Sequence, residues 1–362
     1  MSRVYRIAVL PGDGIGAEVI PEAVRALRAV EARIDGVRWE FAEFSVGAGE
    51  YLRGGDPLPA GTLDELRRFD AILLGAMGLP DVRWPDGREI APQLDLREQL
   101  DLYLGLRPVR LYHAQDTPLR DRAAGEIDLL LVRENTEGLF SSRHARWEGR
   151  PEQVCDTLRV SRACSERLFR GAFHQARRRR RLVTLVDKSN VLPSMVFFRK
   201  IFDEVSAEFP DVRAERVYID AASLYLVRNP ERFDVLVTEN LFGDILSDLA
   251  AGLVGGMGMA PSADIGDRHA VFQPAHGSAP DIAGRGIANP VAAILSAAMM
   301  LDWLGGDETV RGAALIREAV AGVLRLPERT PDLGGTLTTL DLGQRIAGEI
   351  AVAGEPRAPA WS

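Results

Sequence analysis

The chain has 362 residues, which is more than one typical hydrophobic core holds and suits two domains or one large α/β unit. Hydrophobic residues make up 46% and charged residues 27% of it, the proportions of a soluble globular protein. The net charge of −8 gives no general attraction to nucleic acids or membranes, so neither is expected as a partner.

The sequence also bears on location. Two cysteines, Cys155 and Cys164, imply no disulfide framework and favour a reducing compartment. The N-terminus leads into a predicted strand without the charged-then-apolar pattern of a signal peptide, and no apolar run reaches the roughly 18 residues of a membrane span. We therefore expect a cytoplasmic protein.

The first predicted elements are a buried strand at 7–10, a glycine-rich turn at 11–16 and a helix at about 17–32. This order is typical of nucleotide-binding proteins, because glycines let the backbone approach a phosphate. The turn has the spacing G-x-G-x-G rather than G-x-G-x-x-G, and such a turn is often only a tight connection. Both interpretations stay open from this turn alone.

Four later segments share one pattern, an apolar run that ends abruptly in polar residues, and lie at 70–75, 128–133, 182–187 and 233–238. Continuous apolar runs are typical of strands buried on both faces, with helices between them. Ligands of such sheets bind beyond the carboxyl ends of the strands. Arg133, Lys188 and the carboxylates of 239–248 all follow such runs, which predicts a site there.

Asp244 and Asp248 lie four apart on a predicted helix that ends near Leu253, and so on one face of it. Two carboxylates this close repel unless a cation lies between them, and hard oxygen ligands suit Mg²⁺ or Mn²⁺. The alternative is a solvated acidic face near a helix start, where the macrodipole favours anions.

Three arginines, Arg97, Arg107 and Arg133, could converge on a substrate with two or more carboxylates, because the planar guanidinium binds a carboxylate bidentately. This prediction depends on their meeting at one point, since the chain has 44 basic residues in all. Lys188 follows a buried strand and is a candidate proton acceptor. Asp220 could relay that proton or supply a third carboxylate to the metal.

Residues 273–289 are rich in Gly, Ala and Pro and indicate a shaped loop that a ligand can approach closely. Asp281 could accept hydrogen bonds from a ribose diol and would repel a 2′-phosphate, which favours NAD over NADP. The run Arg177–Arg181 is either a polyanion-binding patch or a solvated helix C-terminus, and the net charge favours the second.

Together these motifs resemble the isocitrate/3-isopropylmalate dehydrogenase family of β-decarboxylating dehydrogenases. The matching stretches follow the family's order between about residues 4 and 350, and lie at 11–16, 133–138, 187–190, 239–248 and 276–284. Within the family, 106–111 and Ser141–Ser142 look most like the tartrate/D-malate dehydrogenase branch.

The resemblance implies an α/β fold of two domains around a central mixed sheet flanked by helices, and not a Rossmann fold. The cofactor-binding domain would combine 1–102 with 255–362. The second domain, 103–254, would carry the metal and substrate residues and the interface of a homodimer with shared active sites. The glycine-rich stretch 252–258 fits such a junction.

The resemblance also implies roles for individual residues. Substrate carboxylates would be bound by Arg97, Arg107 and Arg133, with Gln93 and Phe140 beside them. The metal, Mg²⁺ or Mn²⁺, would be bound by Asp220, Asp244 and Asp248. Lys188 and Asp220, the catalytic residues, would come from the neighbouring subunit. NAD would contact eight positions: Ile15, Asn190, His276, Gly277, Ser278, Ala279, Asp281 and Asn289.

Three positions depart from the family pattern. Phe140 stands where a tyrosine normally protonates the enolate after decarboxylation, so a water, Ser141 or Lys188 would have to donate. Gln93 occupies the specificity position, and its amide would be left unpaired against a branched alkyl group at a cost of about 1–3 kcal/mol, unless it points to solvent. Gln273 stands where a glutamate often precedes the histidine loop.

The predicted function is therefore NAD- and Mg²⁺/Mn²⁺-dependent oxidative decarboxylation of a malate-type 2-hydroxy dicarboxylic acid, D-malate- or tartrate-like or with a polar group at C3. The alternatives are a specialised dehydrogenase for an unusual 3-substituted malate, a 3-isopropylmalate dehydrogenase, and a regulatory homologue without catalysis. RNA binding through Arg177–Arg181 is not expected.

Overall fold

A mixed sheet of ten strands runs through the part of the chain that the computed structural model describes, residues 3–146 and 152–352. In chain order the strands are β1 (Arg3–Gly12), β2 (Val37–Glu43), β3 (Ala71–Ala76), β4 (Leu104–Arg110), β5 (Asp128–Glu134), β6 (Leu182–Asp187), β7 (Arg213–Tyr218), β8 (Val235–Thr238), β9 (Pro261–Ile265) and β10 (Ala270–Pro274). Their order across the sheet is β2-β1-β3-β10-β9-β4-β5-β8-β6-β7.

Helices cover both faces of this sheet. In the described residues they are α1 (Gly16–Arg33), α2 (Ala48–Gly54), α3 (Thr62–Leu66), α4 (Pro92–Gln99), α5 (Arg162–Arg177), α6 (Pro193–Ser206), α7 (Ile219–Arg228), α8 (Asn240–Gly252), α9 (Val291–Leu304), α10 (Asp307–Val323) and α11 (Thr339–Val352). None of these helices is long and apolar enough to cross a membrane.

The sheet consists of two parallel halves that run in opposite directions. Strands β2, β1, β3 and β10 are parallel to one another, and so are β5, β8, β6 and β7. The antiparallel strands β9 and β4 join the halves. Strands β4 to β8 come from the middle of the chain and the others from its two ends. The predicted domain borders near 103 and 255 stay a prediction.

Core packing explains the apolar runs of the sequence. Strands β3, β6 and β8 are buried along their whole length. On β5, Leu130 and Val132 join the core that includes α5 and α6, while Leu129 and Leu131 join the core that includes α7 and α8. Each residue of the run thus contacts one of two helix layers. The fold class predicted from the sequence is confirmed.

The basic run at the end of α5 is occupied by carboxylates of the same chain. Arg177 pairs with Asp211 at 2.7 Å, and Arg179 pairs with Asp128 at 2.6 Å and with Asp234 at 2.9 Å. Asp234 is fully buried, so these pairs neutralise a charge at the base of the sheet. This arrangement favours the structural interpretation of the run.

Candidate active site

Neighbouring strands bring polar residues onto one face of the sheet. Arg133 on β5 pairs with Gly105 on β4, which in turn pairs with Asp264 on β9. Directly paired residues project to the same face, as do residues two apart on one strand, so Arg107 joins this face. Gly105 makes room for them, because a Cβ there would lie 2.7 Å from the amide of Asn135.

Helix α4 contributes the third arginine. Arg97 lies on its buried face, and its Nε donates to Asp264 Oδ2 at 2.8 Å. Burial lowers the pKa of Arg107, and the charge of Arg97 lowers it further. The pKa of Arg133 is lowered by burial and by the charges of Arg97 and Arg107. The three guanidiniums therefore lie close enough to repel one another.

Arg107 differs from the other two in having no partner among the described residues. Arg133 donates from Nε and Nη2 to Asn240 Oδ1 at 3.0 and 2.7 Å, and Arg97 binds Asp264. The Nε of Arg107 is buried with no acceptor. Leaving a buried donor unpaired costs about 1–3 kcal/mol. This guanidinium is therefore poised for an acceptor that a ligand would bring.

Helix α8 carries two of the predicted metal carboxylates. Its first turn is capped by Glu239, whose side chain accepts from the backbone N–H groups of Leu241 and Phe242. Burial raises the pKa of Asp248, and the charge of Asp244 raises it further, so the two carboxylates interact. Asp244 is only half-buried and also pairs with Arg133. The acid pair thus adjoins the arginine cluster.

The third predicted metal ligand lies elsewhere in a single chain. Asp220 stands in the first turn of α7 and accepts a hydrogen bond from Lys188 Nζ at 2.7 Å. Within 3–146 and 152–352, no three His, Cys, Asp or Glu side chains are arranged to bind one metal ion. One chain thus forms the pair Asp244–Asp248 and the pair Lys188–Asp220, but does not bring them into one cluster.

Phe140 and Gln93 flank the arginines. The Arg133 guanidinium lies over the Phe140 ring, 5.1 Å from its centroid. Gln93 lies one turn before Arg97 on the same face of α4, and its Oε1 is buried with no partner in the described chain. The amide oxygen of Gln93 is therefore not turned to solvent. Phe140 and Leu94, the residue after Gln93, line a cavity of about 120 Å³.

The glycine turn after β1 contacts the loop that follows β10. The N–H of Ile15 donates to the carbonyl of Ser278 at 2.9 Å, and a Cβ on Gly14 would lie 2.0 Å from that same oxygen. Ala279 has a φ of +39°, in the left-handed region that few non-glycine residues adopt. The two predicted parts of the cofactor site are thus in direct contact.

His276 presents a free nitrogen in this loop. Burial lowers its pKa, so the ring is neutral near pH 7. Its Nδ1 lies 2.9 Å from the carbonyl oxygen of Gly277, and its Nε2 is buried without a partner among the described residues. If Nδ1 carries the proton and donates to that carbonyl, Nε2 is left as a hydrogen-bond acceptor.

The remaining predicted cofactor residues differ in their surroundings. Asn289 is buried, donates to Asp332 Oδ2 at 3.0 Å and accepts from the N–H of Val291, so its side chain fixes the start of α9. Asn190, Gly277 and Asp281 are exposed. These three are accessible to a ligand, whereas Asn289 is occupied within the protein.

Several site residues were not predicted. Asp264 and Asn240 accept from Arg97 and Arg133, and Asn135 donates to Asp264. Asp13 accepts from the backbone N–H groups of Ala48, Gly49 and Gly78, each at 2.8 Å. The signal for Asp264 was a lone charge between apolar residues in 259–265. Asn135 and Asn240 each follow a glutamate that directly succeeds a predicted strand.

The family model described as isocitrate/isopropylmalate dehydrogenase matches residues 6–346. The 3-isopropylmalate dehydrogenase of Moorella thermoacetica is 46% identical over 357 residues, which cover 96% of this chain and 99% of that protein. The isocitrate/homoisocitrate dehydrogenase of Thermus thermophilus is 46% identical over 337 residues, covering 92% and 95%. The crystal structure of isocitrate dehydrogenase from Methylococcus capsulatus superimposes with a TM-score of 0.86 at 38% identity, covering 96% of this chain and 99% of that one.

Proposed function

The chain belongs to the isocitrate/isopropylmalate dehydrogenase family of β-decarboxylating dehydrogenases, and within it we propose that the substrate is a malate-type 2-hydroxy dicarboxylate with a small or polar group at C3. The proposed reaction is NAD-linked oxidation at C2 followed by loss of the β-carboxylate as CO₂. The names of the relatives above are not those of tartrate or D-malate dehydrogenases, so they give the predicted branch no support.

The unpartnered guanidinium of Arg107 is the observation that carries this proposal. The three buried cations repel one another, since burial and the neighbouring charges lower the pKa values of Arg107 and Arg133, and the Nε of Arg107 has no acceptor in the described chain. A dianion would relieve the repulsion and supply that acceptor. The Nε atoms of Arg133 and Arg97 donate to Asn240 and Asp264. These bonds hold each guanidinium plane in one orientation, in which it could bind a carboxylate.

Gln93 supports a polar or small substituent. Its Oε1 is buried and unpaired in the described chain, so a hydroxyl on the substrate could donate to it. An isopropyl group in the same place would leave the oxygen unpaired. Discrimination by such a buried polar group exceeds what one methylene provides, which is about 1–3 kcal/mol.

The residues present fit a divalent metal only in part within one chain. The raised pKa of Asp248 reflects burial and the charge of Asp244, and a cation between the two would relieve that repulsion. Asp220 would complete the ligands from a second copy. Family members use Mg²⁺ or Mn²⁺, and when bound such an ion polarises the 2-hydroxyl oxygen and stabilises negative charge on it.

The loop after β10 fits a dinucleotide. The free Nε2 of His276 could accept from an adenine amino group or a ribose hydroxyl. Asp281 is exposed and would accept from a ribose diol, and its charge would oppose a 2′-phosphate. Family members use NAD or NADP, and these two features support NAD for this chain.

Lys188 would accept the proton of the 2-hydroxyl as hydride leaves C2. Its Nζ is held by Asp220 at 2.7 Å, which orients the amine and offers a proton path to solvent, since Asp220 is exposed. Phe140 contributes no proton to the enolate that decarboxylation leaves. The hydroxyl of Ser141 donates to the carbonyl of Gly138 at 2.8 Å, so a water or Lys188 is the better-placed donor.

A second candidate, 3-isopropylmalate, is favoured by the relative from Moorella thermoacetica at 46% identity. The two candidate substrates differ in the C3 group that would face Gln93, which is small or polar in the first and isopropyl in the second. Replacing Gln93 with Leu would remove the unpaired oxygen and should shift preference toward 3-isopropylmalate, by about tenfold or more in relative kcat/KM.

The test is NADH formation with Mn²⁺ across D-malate, both tartrates, isocitrate, homoisocitrate and 3-isopropylmalate, each with and without EDTA. We expect the highest kcat/KM with a malate-type dianion and none after chelation. Highest activity with 3-isopropylmalate would replace the proposal with the second candidate. NADH formation that survives exhaustive chelation would contradict the metal's role.

A further inference from the structure

Asp264 is a buried carboxylate beside Arg97, Arg107 and Arg133, and it has no role in the reaction proposed above. It is 1% exposed and lies on β9, between the two halves of the sheet. Its Oδ2 accepts from Arg97 Nε at 2.8 Å and from Gln273 Nε2 at 2.7 Å, and its Oδ1 accepts from Asn135 Nδ2 at 2.7 Å. A buried carboxylate with three donors is held in one orientation.

The charge of Asp264 is compensated by arginines rather than by solvent. Burial works to raise its pKa, but the charges of Arg97 and Arg107 outweigh burial, and the pKa lies below its usual value. The carboxylate is therefore ionised near neutral pH. It offsets one of the three positive charges of Arg97, Arg107 and Arg133, and Asp244, which pairs with Arg133, offsets a second.

Strand β10, which pairs with β9, carries a glutamine at a position where an acidic residue is expected. Gln273 on β10 lies diagonally across from Asp264, since Gln273 pairs with Ser262 and Asp264 pairs with Val271. Position 273 is the one at which the family resemblance leads us to expect glutamate. Here the amide of Gln273 donates to Asp264. In this chain the carboxylate is therefore on β9, next to β4 and Arg107, and not on β10.

Building on the proposed function, we propose that Asp264 is a positioning residue that selects substrate by charge. It fixes the plane of Arg97 and places a buried negative charge beside the arginines that would bind the substrate's two carboxylates. A tricarboxylate would bring a third negative charge toward a buried carboxylate. At about 8 Å and an effective dielectric constant of about 20, such a repulsion weakens binding roughly tenfold or more.

The test measures equilibrium binding of two unreactive probes, succinate and tricarballylate, by calorimetry without NAD or metal. Asp264→Asn removes the charge and keeps a hydrogen-bonding side chain of the same shape. Asp264→Asn combined with Gln273→Glu moves the charge to the neighbouring strand. Ser262→Ala is the matched control, because Ser262 is buried on the same strand and its Oγ has no partner among the described residues.

We expect wild type and Ser262→Ala to prefer succinate. In Asp264→Asn the ratio of the two dissociation constants should shift toward tricarballylate by about tenfold. The combined variant should return to within about threefold of the wild-type ratio. A purely structural role would lower affinity for both probes together and leave the ratio unchanged, and that result in folded protein would overturn the proposal.

Asp264→Ser also removes the charge and covers the case in which Asp264→Asn does not fold, and it should shift the ratio in the same direction. If the combined variant folds but its ratio is far from that of the wild type, the proposal is wrong. Because both probes are unreactive, these results do not depend on turnover. Binding that follows the proposed pattern in a protein that turns over none of the substrates would refute the proposed function and leave the role of Asp264 standing.

Discussion

At the scale of single residues, Phe140 poses the sharpest chemical question. Its ring lies against the Arg133 guanidinium, so it adjoins the proposed substrate carboxylates but carries no proton to give. The hydroxyl of the neighbouring Ser141 donates to the carbonyl of Gly138. Protonation of the enolate then depends on water or on Lys188. A slow protonation step would then limit turnover.

Phe140→Tyr should therefore raise kcat, because protonation of the enolate follows the loss of CO₂ and would be the slow step. The added hydroxyl supplies a proton donor near Arg133, where general acid catalysis typically contributes about 10²–10⁴-fold to the step it serves. The measurement is kcat together with its solvent deuterium isotope effect. Phe140→Leu is the control, since it changes the ring without adding a donor. Equal values in all three proteins would show that residue 140 only packs.

His276 leads to a prediction about pH. Its folded-state pKa lies below the usual 6.5 because it is buried, so the unfolded chain binds more protons as pH falls through 6.5, and folding stability declines in that direction. A ligand hydrogen bond to Nε2 lowers the pKa further. Affinity for NAD should therefore be constant from pH 8 to 6.5 and fall only once the pH drops below the lowered folded-state pKa of His276, by up to about tenfold per unit.

The measurement is the NAD dissociation constant between pH 5.5 and 8. His276→Gln is the comparison, because an amide can accept a hydrogen bond but does not titrate in this range. We expect its profile to be flat at the acid end. Parallel profiles for the two proteins would mean that His276 does not contact the cofactor through Nε2.

The sequence identified site residues where a charged side chain fits a recognisable ligand-binding role. The three arginines were singled out as possible ligands of substrate carboxylates, and the structure brings them close together. Asp264 was missed because its partners come from α4, from β10 and from the residue after β5, which are far apart in the chain. Only the register of β9 against β4 and β10 brings them together.

At the scale of elements, helix α8 shows how a small residue sets the site. Gly243 lies where α8 crosses the Arg133 side chain, and a Cβ there would lie 2.7 Å from Arg133 Cγ and 2.8 Å from its Cβ. Both contacts are too short for carbon atoms. The close approach lets Arg133 reach Asn240 and Asp244 from beneath the helix.

Gly243→Ala should displace Arg133 and raise KM for the dicarboxylate about tenfold or more, with a cost in stability of about 1–3 kcal/mol from overpacking. Gly252→Ala on the same helix is the matched control. No heavy atom lies within 4 Å of a Cβ added there, so both KM and stability should change little. Steady-state kinetics and thermal unfolding measure the two effects. A KM for Gly243→Ala equal to that of the control would refute the argument.

Elements were predictable where burial on both faces leaves an apolar run. Strands β1, β3, β5, β6 and β8 were predicted on this basis and are present. The edge strand β7 contains only exposed and half-buried residues and is largely polar, so it carries no such run. Strands β9 and β10 have five residues each and are separated by a tight turn. Their place between the two halves of the sheet follows from tertiary pairing.

At the scale of the whole molecule, exposed apolar side chains gather in one part of the chain. Of the fourteen large hydrophobic residues exposed in the described residues, seven fall between 191 and 245. They include Val191, Leu224 and Ile245, each more than half exposed. They lie in or beside α6, α7 and α8, within the segment predicted to form the dimer interface. A second copy of the chain would cover this surface.

Lys188 and Asp220 lie next to this surface in the sequence, three residues before Val191 and four before Leu224. In one chain they pair with each other and not with Asp244 and Asp248. A two-fold dimer across α6 to α8 would carry the pair of each copy toward the other copy's acid pair. This geometry predicts two active sites, each built from both subunits.

Subunit mixing tests that prediction. Lys188→Ala and Asp244→Asn should each be nearly inactive as homodimers, since each lacks one essential group at both sites. After unfolding and refolding together, about half of the dimers should be mixed, and one of the two sites in each mixed dimer combines an intact Lys188 with an intact Asp244. Activity should therefore recover to about a quarter of the wild-type value per subunit. Mixing Lys188→Ala with Asp220→Asn is the control, because both changes fall on the same side of the interface and every site would lack one of the two groups. No recovery in the first mixture, with dimers confirmed by light scattering, would mean that each chain builds its own site.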